Sequence, residues 1–144
     1  MASITDPAHL RFWHARLSPS LADFERLAQQ AWRALPDEFR TLTGEVMIRV
    51  AEFPEDEVLE DLAMETPFEL LGLFEGRGIA EKWNPGTGEW PNKITLFRRP
   101  MLDYWAENEE TLGDIVTHVL IHEIGHHFGM SDDDMERIEG AAAG

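Results

Sequence analysis

A chain of 144 residues fits one domain with a substantial core. The absence of cysteine removes disulfides, thiolate metal sites and cysteine nucleophiles together, so any metal must be held by nitrogen and oxygen. A formal net charge of -16 repels phosphate backbones and anionic bilayers, so neither nucleic acid nor a membrane is expected as a partner.

The opening stretch MASITDPAHLRFWHARLSPS has no long apolar segment after a basic start and does not read as a signal peptide. No apolar run elsewhere approaches a membrane span, and the expected location is the cytoplasm. Asp6-Pro7 opens a short helix carrying Leu10, Phe12, Trp13 and Leu17, and Ser18-Pro19 punctuates it. Ser20 with Asp23 reads as the capped start of a second helix. Leu21, Phe24, Leu27, Ala28, Ala31, Trp32 and Leu35 recur along it at helical spacing until Pro36 stops it.

Residues 45–53 (EVMIRVAEF) are rich in β-branched side chains and predict a strand with Val46, Ile48 and Val50 on one face. An acidic loop or frayed helix follows, to Pro67. Residues 69–76 predict a second strand, and the turn-dense segment 82–92 a loop whose Trp83 and Trp90 could line a cleft. Residues 93–100 predict a third strand ending at Pro100, and residues 101–108 a helical segment. Thr111 and Asp114 form a capping pair for a longer helix. Its apolar stripe runs through Leu112, Ile115, Val116, Val119, Leu120 and Ile124, and it stops near Gly129. A last short helix spans about residues 131–139. This order suggests a small α/β or α+β domain with a short sheet covered by the penultimate helix.

That helix carries four of the six histidines of the chain, in HVLIHEIGHHFGMSDDDME. Its HEIGH segment, residues 122–126, fits H-E-x-x-H. Residues four apart share a helical face about 6 Å apart along the axis, so His122 and His126 can converge on one ion. Glu123 stands beside the first ligand, placed to take a proton from a metal-activated water without binding the metal. Zinc that catalyses hydrolysis takes three protein ligands. His118 and His126 are about 12 Å apart along a straight helix, too far to share one ion, and His127 points about a quarter-turn from His126. Both read as structural or supporting residues. Gly129 can adopt positive φ and turn the chain back, bringing Asp132 round as the third ligand, with Asp133 as the alternative if the turn shifts by one residue. Glu136 and Glu139 are weaker options. The resulting H-E-x-x-H-x-x-G-x-x-D spacing is that of the extended metzincin motif with aspartate in the last place. It departs from metzincins in having no downstream Met-turn, because only twelve residues follow Asp132 and Met135 is too close. Gly125 is expected to let the motif helix lie close to the sheet.

With LLGLFEG, KITLFRRP and HEIGHHFGMSDDDMERIE in this order, the chain resembles the small bacterial zincin-like metallopeptidases over roughly residues 21–139. The resemblance implies an α+β minimal zincin fold: a short mixed sheet, the motif helix behind it, and an open cleft. Residues 21–144 would be that domain and residues 1–20 an extension. It also implies that His122, His126 and Asp132 hold one zinc ion per chain and that Glu123 is the catalytic carboxylate. It names no substrate.

Three functions follow from these residues. The first is a zinc-dependent peptidase acting on a peptide or protein held along a sheet edge. The second is a zinc-binding regulatory or interaction module with little or no turnover. The third is a structural domain with an empty site.

Overall fold

The computed structural model describes residues 6–76 and 92–143. Among these described residues seven helices and three strands occur in the order α1 (Pro7–His14), α2 (Leu21–Ala34), α3 (Asp37–Thr43), β1 (Met47–Ala51), α4 (Asp56–Asp61), β2 (Gly72–Gly76), β3 (Asn92–Phe97), α5 (Arg98–Glu107), α6 (Leu112–His127) and α7 (Asp132–Ala143), with a 3-10 turn at Pro67–Glu69 before β2. The sheet is mixed: β3 is central, parallel to β1 and antiparallel to β2. This is an α+β fold, with helices packed against a small sheet.

The elements begin where local chemistry satisfies the free amides. Ser20 Oγ accepts from the Asp23 amide at 3.1 Å, and the Asp23 carboxylate accepts from the Ser20 amide at 2.8 Å, closing the expected capping box at α2. Thr111 Oγ1 accepts from the Asp114 amide at 3.1 Å and starts α6 as expected. Helix α3 is absent from the sequence-based reading. Pro36 looks like a stop after α2, yet it also serves as the N-cap of the next helix, and seven residues are too few to show a period. Its Phe39 is almost fully buried.

Two strand boundaries differ from the expectation. The second strand begins at Gly72 rather than residue 69, because Thr66 and Glu69 cap each other around the 3-10 turn. The third strand ends at Phe97, and Arg98-Arg99-Pro100 opens α5 instead of closing the strand. Pro100 sits in the first helical turn, where a missing N–H costs nothing. The acidic segment before Pro67 contains a single short helix, α4. The loop with Trp83 and Trp90 lies outside the described residues.

The core sits where α2 and α6 meet the sheet, with α7 packed on α6. Phe24 and Ala28 of α2, Ile94 and Leu96 of β3, Leu120 of α6 and Met135 of α7 are all fully buried. Gly72 makes the close approach between sheet and helix: a Cβ there would lie 2.7 Å from Val119 Cγ1 of α6. Arg98 ties three segments together, donating to the Pro19 carbonyl at 2.6 Å, to Ser18 Oγ at 3.0 Å and to Glu52 at 3.0 Å. Helix α1 buries none of its residues, and Leu10, Phe12, Trp13 and Leu17 are exposed. Among the described residues no helix is long and apolar enough to cross a membrane.

Candidate metal centre

Helix α6 presents His118, His122 and His126 at four-residue intervals, one above the next. The helix then ends in a double hydrogen-bonded turn. The Met130 amide donates to the Gly125 carbonyl at 2.9 Å and the Gly129 amide to the His126 carbonyl at 3.1 Å. Gly129 has φ +74°, which a glycine adopts without strain, so the reversal expected from its position is present. Ser131 Oγ accepts from the Asp134 amide at 3.1 Å and starts α7, whose first residue is Asp132. The two helices therefore run antiparallel, joined by four residues.

Their separation is set by Gly125. A Cβ there would stand 2.6 Å from Met135 Sδ and 2.9 Å from Met135 Cγ. The small residue expected to bring α6 close to the sheet thus brings it close to α7, and Gly72 serves the sheet contact.

Along this seam the ligating atoms of His118, His122 and Glu139 all lie within 4.8 Å of one another. The His118 and His122 rings stack with centroids 3.9 Å apart, and His118 Nδ1 is 2.5 Å from Glu139 Oε1. The His122 and His126 rings are 6.0 Å apart. Among the described residues, His126 and Asp132 are not part of the tight group; both are exposed. Glu123 is half-buried beside His122. His127 turns away and packs its ring on Phe74 of β2 at 4.5 Å, which is a structural role. Tyr104 donates its hydroxyl to Glu110 at 2.8 Å, and that bond raises its pKa.

His122 Nε2 is buried and, among the described residues, has no hydrogen-bond partner. Burial holds the His122 pKa below the ordinary histidine value, and neighbouring His118 and His126 push the same way, against Glu139 and Asp132. Its ring therefore tends to stay neutral, the form that binds a metal. Burial also raises the Glu123 carboxyl above its usual range, opposed by His126. Beside these groups lies a cavity of about 640 Å³ between α2, α6 and α7, with His118 and Glu139 on its wall.

The grouping of His118 with Glu139 was not foreseen. The 12 Å argument against His118 concerns its distance to His126 and leaves its contact with His122, one turn away, untouched. A signal for Glu139 was present: Asp132, Glu136 and Glu139 recur at i, i+4 and i+7, one face of a helix returning along the histidines.

An α+β domain with paired histidines and an adjacent carboxylate on a buried helix is the architecture of a zincin. Residues 43–142 match the family model of the zincin-like metallopeptidases, and the chain belongs to that family. The match begins at Thr43, later than the resemblance read from the sequence, although α2 shares the same core through Phe24 and Ala28. No curated protein matches the sequence. Zinc is the cofactor the family implies, and the residues fit it. The donors are imidazole nitrogens and carboxylate oxygens, and one buried nitrogen lacks a partner among the described residues.

Proposed function

We propose that the protein is a zinc-dependent peptidase in which His122, His126 and Asp132 hold the metal and Glu123 is the general base. The observation that carries this reading is the partnerless, buried His122 Nε2, one residue from a carboxyl whose pKa burial has raised. Zinc bound there would supply a Lewis acid that polarises a scissile carbonyl and acidifies water.

The chain supplies the rest. A Glu123 carboxylate oxygen takes the proton of the attacking water and returns it to the leaving amine. Its raised pKa makes it a stronger base than an exposed glutamate, closer to the operating pH. Neutral His122 keeps its lone pair for the metal. His126 and Asp132 would hold the same ion, brought toward it by the helix rise and the Gly129 turn. Among the described residues strand β2 is an outer strand of the sheet and lies against α6 through Gly72, which supports its edge as the site for an extended peptide.

Glu123→Gln separates this reading from a zinc-binding module with little turnover. The substitution is nearly isosteric and spares all three proposed ligands. Zinc-loaded parent and variant, matched in metal content, are tested on a diverse peptide library. The variant is expected to keep its zinc and lose about a hundredfold or more in hydrolysis. Equal cleavage by both would discard Glu123 as the base, and no cleavage by either would favour the binding module.

A further inference from the structure

We propose that His118, His122 and Glu139 form a second divalent-cation position that shares His122 with the motif ligands, so that the two sets exclude each other. The proposal goes beyond the peptidase reading and rests on it only for that exclusion.

The donor set comes first. Two imidazoles and one carboxylate suit zinc and other borderline divalent metals, whereas calcium and magnesium prefer oxygen throughout. The ligating atoms already lie within 4.8 Å of one another. Donors around a tetrahedral zinc at about 2.0–2.1 Å stand about 3.4 Å apart, so the widest pair has to close by only about 1.4 Å. The side chains can make that movement, since His118 is 52% exposed and Glu139 31%.

Access and charge agree. His118 and Glu139 line the cavity between α2, α6 and α7, so two of the three donors face a space that a cation can enter. Glu110, Asp114 and Glu136 also line it, with no lysine or arginine among the described residues that line it, so the field there favours a cation. A plain His118–Glu139 hydrogen bond accounts for those two residues. It does not account for the His122 ring stacked on His118 with its Nε2 unpaired.

Exclusion follows from the imidazole. A neutral ring has one nitrogen carrying hydrogen and one lone pair, so His122 serves one ion at a time. A cation at His118–His122–Glu139 leaves His126 and Asp132 without their first ligand, and the reverse holds equally.

The test uses the full chain and zinc alone, with affinity read by competition against a chromophoric chelator. The double variant His126→Ala/Asp132→Asn disables the motif set. It is expected to retain about one zinc per chain, bound more weakly than by the parent. Adding Glu139→Gln should lower that residual affinity about tenfold or more, and His118→Asn should do the same. In the otherwise unaltered chain, Glu139→Gln should change zinc affinity less than about threefold, because the motif set takes the ion. Thermal unfolding of the metal-free variants confirms that each remains folded. The proposal is overturned if the double variant binds no zinc, if Glu139→Gln leaves its residual affinity unchanged, or if Glu139→Gln alone weakens the parent strongly. The peptidase assignment fails by a different result: His126→Ala binding zinc as tightly as the parent.

Discussion

Helix α6 carries two rows of side chains with the same four-residue spacing. Val116, Leu120 and Ile124 form one row, and His118, His122 and His126 the other, two residues out of step and so about 200° round the axis. The first row is fully buried against the core. In the second, only His122 is half-buried, between two exposed rings. One periodicity thus serves two kinds of chemistry. The apolar row fixes the rotation of the helix by burial, worth about 1.5–3 kcal/mol for each large side chain. The histidine row depends on that fixed rotation to aim its nitrogens at the seam with α7.

If the rows are separable, substitutions should sort by row. Leu120→Ala should cost about 2–5 kcal/mol in chemical denaturation, since it opens a cavity in a fully buried place. Its folded fraction should still bind zinc in the parental ratio. His126→Ala should do the opposite. Losing a direct ligand should exceed the 10–100-fold scale of a lost outer partner, so zinc affinity should fall about a hundredfold or more. Metal-free stability should stay within about 0.5 kcal/mol, because His126 is exposed. Loss of zinc binding by folded Leu120→Ala on the scale of His126→Ala would show that the two rows are not independent.

The sequence carried the two rows unequally. The apolar row was legible because burial on one face leaves a period, and so were the caps at Ser20 and Thr111 and the Gly129 turn. Helix α3 was hidden because Pro36 closes one helix and opens the next, and seven residues show no period. Arg98 to Pro100 read as strand because three residues cannot display which way the backbone continues. In the site, H-E-x-x-H marked His122 and Glu123 by spacing alone. The partnership of His118 with Glu139 depends on how α7 docks on α6, and that docking is set by Gly125 meeting Met135, a tertiary contact across ten residues of chain. The motif names the helix and the histidine proposed as its first ligand; the company that histidine keeps is decided by packing.

Gly125 lies between the rows and tests that packing directly. In Gly125→Ala the new methyl would meet Met135 Sδ at 2.6 Å. Overpacking costs about 1–3 kcal/mol, and exchanging glycine for alanine inside a helix returns about 1 kcal/mol. The sulfur lies toward the free end of a flexible chain, so a net loss of about 1 kcal/mol is expected, read as a lowered unfolding midpoint. Displacement of α7 should also weaken zinc binding severalfold. An unchanged midpoint with unchanged affinity would mean that Met135 moves aside freely and that the helix seam is not what positions the ligands.

The smallest expected effect concerns Glu123 in the metal-free protein, where burial is the first cause of its raised pKa. A carboxyl raised above the ordinary value of 4.5 holds its proton in the folded state after the unfolded chain has released it. Between those two pKa values the folded state binds more protons, so stability falls as pH rises through the window. Above the folded pKa the full cost of burying the charge is present. Glu123→Gln carries no such charge. With zinc removed by chelator, the variant should therefore be more stable than the parent at pH 8, and the difference should shrink as pH falls, closing near pH 4.5. Zinc must be absent, since a nearby cation favours the ionised carboxylate and would mask the effect. Denaturation curves across this range give the comparison. A parent more stable than Glu123→Gln at pH 8 would mean that a partner stabilises the carboxylate, and that burial is not what prepares Glu123 to accept a proton.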